Sequence, residues 1–178
     1  STLMRSSAAS DVYKRQETDM NIGIDYETIA EEVICAALDY VSCPYECQVN
    51  ILLTDNTGIQ DTNKQMRGID APTDVLSFPM IDFEQEGDFS IVEKDTASYF
   101  DVASGELLLG DIMISLEKVK GQAQQFNHSV KREFAFLIAH SMLHLSGYDH
   151  VIDSERIRME QMQEEILQSI GYTREIVE

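Results

Sequence analysis

Three of the four histidines in this 178-residue chain fall within one short stretch, as His140, His144 and His150. The first two sit in the run Phe-Ala-Phe-Leu-Ile-Ala-His-Ser-Met-Leu-His-Leu, residues 134–145, which is apolar nearly all round. Such a run predicts a buried helix, and a spacing of four places both imidazoles on one face, one above the other. Burial penalises the charged form of an imidazole and demands partners for its ring nitrogens. One shared cation meets both demands. Gly147 follows where a helix end commonly takes a left-handed residue, so the chain can fold back and bring His150 to the pair. Three converging imidazoles match a zinc-like site with a fourth position open, the catalytic pattern; structural zinc sites use four protein ligands and favour cysteine. One zinc ion per chain is the expectation. Asp149, beside the third histidine, either orients a ligand imidazole through its second nitrogen or caps the turn.

The offsets (His, His four on, Gly seven on, His ten on) resemble the metzincin peptidase motif. There a glutamate follows the first histidine and serves as general base. Here Ser141 stands in that place, and a serine does not do that work unaided at neutral pH.

The elements that must position these residues can be read from the pattern. Tyr26 to Tyr40 has apolar residues at helical spacing, and Val49, Ile51 and Leu53 alternate in a strand from Glu46 to Thr54. Asp55 or Asn56 can cap a helix through Ile59, Asn63 and Met66 that stops near Gly68. Asp74 to Phe78 reads as a short strand ended by Pro79, and Leu107 to Ser115 as another. Helices follow over Leu116–Phe126, Val130–Ser146 and, capped by Ser154, Ser154–Ile170. The acidic stretch from Ile81 to Ser104 lacks a period and reads as a long exposed loop. The predicted class is α/β (α+β), a small mixed sheet packed with about five helices, one carrying the zincin-like metal site. Residues 1–19 read as a disordered leader or assembly remnant with Met20 a natural start, and 20–178 as a single domain.

Composition narrows the function. The net charge is −19, which opposes wholesale nucleic-acid binding and leaves room for a local basic groove. Positive charge gathers in one place, at Lys118, Lys120, Lys131 and Arg132, with His128 between them on the expected surface. These are the possible contacts to a phosphate backbone, the alternative being a solvated helix face. Cys35, Cys43 and Cys47 are too few for a disulfide scaffold and suit a reducing cytoplasm. No apolar run approaches the roughly 20 residues of a membrane span, and no secretory signal opens the chain.

The stretch His140-Ser-Met-Leu-His144-Leu-Ser-Gly147-Tyr148-Asp149-His150 closely resembles the signature of the YbeY endoribonucleases, the bacterial rRNA maturation factors. A second block agrees: Asn63, Arg67, Asp70, then Pro72-Thr73-Asp74-Val75-Leu76-Ser77-Phe78-Pro79. Leu109-Gly110-Asp111-Ile112 is a third, and the likeness spans roughly Met20 to Ile170. Ser141 departs from the glycine usual in the family; a small residue there keeps the backbone close to the metal. The resemblance implies a zinc-dependent, single-strand-specific ribonuclease acting on ribosomal RNA, notably in 3′-end maturation of the small-subunit RNA and in ribosome quality control. It implies the small ribosomal subunit as partner, with no membrane and no DNA. It also places a functional arginine at Arg67, whose guanidinium fork could clamp a phosphate oxygen; a structural ion pair with Asp70 or Asp74 is the alternative. Water and the ribose 2′-hydroxyl both remain open as nucleophile, and a 2′,3′-cyclic phosphate product would mark the second.

Overall fold

A computed structural model describes residues 11–173. Its sheet has four strands in the order β1-β2-β4-β3. The strands are β1 (Asp11–Gln16), β2 (Cys47–Thr54), β3 (Val75–Pro79) and β4 (Leu107–Ser115). β1, β2 and β4 run parallel, and β3 closes the edge antiparallel to β4. Five helices of ten or more residues surround it: α1 (Tyr26–Tyr40), α2 (Asn56–Arg67), α4 (Leu116–Gln125), α5 (Val130–Leu145) and α6 (Asp153–Ser169). The four-residue α3 (Thr96–Tyr99) lies in the connection between β3 and β4. Among the described residues no helix is long and apolar enough to cross a membrane.

The period-two pattern sorts the sheet's side chains between two cores. Val49, Ile51 and Leu53 of β2, with Leu107, Leu109, Ile112 and Ile114 of β4, face the main core under α1 and α5. Leu76 and Met113 face the other way and meet Ile59 of α2. The ladder between β2 and β4 slips by one residue at Gln48/Val49, opposite Gly110. A side chain at Gly110 (φ +148) would sit 2.4 Å from the carbonyl oxygen of Phe78, so only glycine lets the strands close there.

Caps set the helix starts. Asp25, Asp55, Ser115 and Ser129 each accept a backbone N–H from the first turn of α1, α2, α4 and α5. At α6 the expected cap, Ser154, lies inside the helix. Glu155 does the capping instead, accepting from the N–H groups of Val151 and Ile152 at 2.8 and 3.4 Å.

Two further expectations are corrected. Asp11–Gln16 fall in the stretch read as a disordered leader, yet form the edge strand β1, paired with Gln48–Leu53. The pairing uses backbone groups, and its side chains are mostly exposed and polar, so no apolar alternation marks it. Residues 1–10 of that leader lie outside the described residues. The acidic stretch 81–104 is not a plain exposed loop either. It holds a 3₁₀ turn at Phe89–Lys94 and buries Ile81, Phe89, Val92 and Phe100 in the main core. Its four anchors are too widely and unevenly spaced to show a period.

Candidate metal centre and cleft

α5 is the central pillar of the molecule, packed by α1, α4, α6 and the sheet. That burial on every side is what its all-round apolar sequence requires. His140 and His144 stand on its last turns, and its C-terminal turn hands the chain to His150. One ring nitrogen from each of the three lies within 4.8 Å of the others. Nε2 of His140 is 3.0 Å from Nε2 of His144.

The far nitrogens decide what that short contact means. Nδ1 of His144 lies 2.9 Å from the carbonyl oxygen of Tyr148, an acceptor only, so Nδ1 carries the proton. Nδ1 of His140 faces Oε1 of Gln163 at 3.2 Å, and Gln163 spends its amide nitrogen on the carbonyl oxygen of Phe136. Both Nε2 atoms therefore point bare lone pairs at each other. Protonation is a poor remedy: burial, then the His140 and His150 charges, push His144 down to about 4. Burial chiefly, with His150 adding to it, also holds His140 below the usual imidazole range, against the Gln163 hydrogen bond. Two facing lone pairs, a third imidazole and fixed tautomers fit a bound cation. The three histidines can hold a metal ion.

The cluster opens on a cleft of about 800 Å³. Arg67, the last residue of α2, reaches the same cleft, and the left-handed Gly68 (φ 71) ends the helix directly after it. It pairs with neither expected partner. Asp70 bonds Lys64 and Gln60, and Asp74 accepts from the Val75 N–H at 2.7 Å and from Gln122 at 3.3 Å. Asp74, Asp82 and Asp149 also line the cleft. Three carboxylates against one guanidinium leave the lining two negative charges in excess, which one divalent cation would balance.

Asp149 does not hold a ligand imidazole. Its Oδ1 accepts the N–H of His150 at 2.8 Å and so caps the turn, while Gln163 and the Tyr148 carbonyl take the orienting role. Ser141 is fully buried, and its oxygen accepts from the Ser77 hydroxyl at 2.8 Å, so no base is offered to the cleft where a peptidase would carry its glutamate.

The expected RNA contacts fare differently. None of Lys118, Lys120, Lys131 and Arg132 lines the cleft. Arg132 is buried, donating to Glu164 at 2.5 Å and to the Tyr172 carbonyl at 2.7 Å; it braces α5 against α6. Lys131 lies over the Tyr172 ring, 4.6 Å from its centre. His128, expected on the surface, is half-buried and 2.6 Å from Glu133, itself buried and bonded by Gln122. Sequence reasoning missed Gln163. Its one signal is a polar residue beside Met159, Met162 and Ile166 on the buried stripe of α6.

The family model described as Endoribonuclease YbeY matches residues 12–171. A protein named Endoribonuclease YbeY from Lachnoclostridium phytofermentans is 52% identical over 163 residues, covering 92% of this chain and 99% of its own. One of the same name from Agathobacter rectalis is 52% identical over 159 residues, covering 89% and 96%. Another, from Clostridium perfringens, is 44% identical over 148 residues, covering 82% and 87%. The solution structure of TM1509 from Thermotoga maritima shares the fold at 22% identity, with a TM-score of 0.50 over 91% of this chain and 95% of that one. The chain belongs to the YbeY endoribonuclease family.

Proposed function

We propose that this protein is a zinc-dependent endoribonuclease that cuts single-stranded ribosomal RNA, at the 3′ end of the small-subunit RNA and in ribosome quality control. Its partners on this reading are ribosomal RNA and the small subunit, met in the cytoplasm. The observation that carries it is the pair of unprotonated Nε2 atoms of His140 and His144, 3.0 Å apart, on the cleft that Arg67 also lines.

His140, His144 and His150 would hold the ion, leaving room for an exchangeable fourth partner. When bound, such an ion supplies Lewis acidity toward a phosphoryl oxygen and makes water a better nucleophile at neutral pH. Arg67, unpaired with Asp70 or Asp74, is available to fork onto a non-bridging phosphate oxygen and offset charge that grows during cleavage. The Ser77 hydroxyl, fixed by Ser141, adds a polar group to the cleft wall.

Elemental analysis of the purified chain beside His144→Ala, with both checked for folding, tests the reading together with cleavage of a single-stranded RNA. About one zinc per chain, with cutting that chelation abolishes and zinc restores, is the expected result. Wild-type protein that takes up no zinc on reconstitution would sink it.

A further inference from the structure

The segment that follows β3 meets the turn carrying the third imidazole at several independent points. The N–H of Gly87 donates to the carbonyl oxygen of Ser146 at 2.8 Å. A Cβ on Gly147 (φ +94) would lie 2.8 Å from the Phe83 ring, and one on Gly87 (φ +70) 2.7 Å from the Tyr148 hydroxyl. Glu86 accepts from Arg158 of α6 at 2.5 Å, and the Arg158 guanidinium lies over the Tyr148 ring, 5.6 Å from its centre. Tyr148 is thus enclosed by Gly87 and Arg158, and its carbonyl oxygen is the one that fixes the His144 tautomer.

His150 sits beyond the end of α5, exposed, where nothing in the helix itself fixes it. We propose that Phe83–Gly87, locked down by Arg158, is a positioning element for the metal centre. It holds the 146–150 turn so that the His150 ring and the Tyr148 carbonyl stay in ligating register, and so sets how long the ion is retained. The proposal rests on the three-imidazole reading above. Close packing carries most of the effect, because an exposed ion pair alone contributes little; two glycines at positive φ let the faces touch, a methyl group on Gly147 would run into the Phe83 ring, and one on Gly87 would strain the backbone and displace the Tyr148 hydroxyl. The acidic connection, which no histidine or arginine motif marks, thereby becomes part of the metal site's support.

Release of cobalt(II) from the full chain into excess chelator, followed by its visible absorption bands, tests this on wild type, Gly87→Ala, Arg158→Gln and Arg158→Lys. Gly87→Ala is expected to release the ion about tenfold faster with altered bands, as for loss of an outer support. Arg158→Gln should release it about two- to fivefold faster, with metal-free melting unchanged, and Arg158→Lys should restore near-wild-type release. Unchanged release and bands in both Gly87→Ala and Arg158→Gln overturn the proposal while leaving the metal site standing. Wild type that binds no cobalt overturns the site itself, and this proposal with it. Should Gly87→Ala fail to fold, the exposed Arg158→Gln decides alone.

Discussion

Gln163 reaches from α6 to His140 on α5, its Oε1 3.2 Å from Nδ1 of the imidazole while its own amide nitrogen donates to Phe136. The two bonds fix which way the amide faces, and so which nitrogen of His140 is left for a metal. Gln163→Leu keeps the size and removes the acceptor. Zinc affinity should fall about 10- to 100-fold in a competition titration, with α6 still docked. An unchanged affinity would show that packing alone orients His140.

Acid should strip the site and weaken the metal-free fold over one range. His144 is held at about 4 against an ordinary value of 6.5. As pH falls below 6.5 the unfolded chain takes up a proton that the folded chain refuses until about 4. Stability is therefore full above 6.5 and declines as pH falls toward 4. Urea midpoints of chelated protein across that range measure it. Bound zinc should steepen the loss, because the same protons compete for the same nitrogens.

Arg67→Ala should leave zinc content and melting temperature unchanged and lower kcat/KM for RNA about a hundredfold. Arg67→Lys should recover only part, since an ammonium lacks the two-pronged fork. Loss of folding in Arg67→Ala would instead assign the residue to structure.

Charge balance predicts that RNA binding itself depends on the metal. Asp74, Asp82 and Asp149 outweigh Arg67 in the cleft until a dication arrives. Chelated protein should bind a short single-stranded RNA several-fold more weakly than zinc-loaded protein, in a difference that shrinks with added salt. Equal affinities would place the RNA elsewhere on the surface.

Arg132 should matter to folding and not to RNA. Arg132→Met removes the bonds to Glu164 and to the Tyr172 carbonyl that tie α5 to α6, a loss of about 3 kcal/mol in urea unfolding. Lys120→Ala, on an exposed position outside the cleft, should change neither stability nor the KM for RNA.

The helix that carries His140 and His144 was legible because burial on all sides leaves an unbroken apolar run, and two histidines within such a run need a common explanation. The β2 and β4 strands were legible for a similar reason: one face of each points into a core. β1 was not, since an edge strand held by backbone bonds writes little into its side chains. Arg132 misled because a charge count cannot distinguish a solvated guanidinium from one enclosed by Glu164 and Tyr172. Gln163 and the Phe83–Gly87 segment act on the centre from 23 and about 60 residues away in sequence, a distance over which local spacing carries no signal.

α6 supplies Gln163 to one ligand, Arg158 to the turn of another, and Glu164 to the base of α5. A helix that follows all three histidines in the chain is thus the one that supports both ends of α5. A nascent chain emerging from the ribosome would carry all three histidines before it could hold them in place. Order at the centre would then wait on the synthesis of α6, which follows the ligands in the chain.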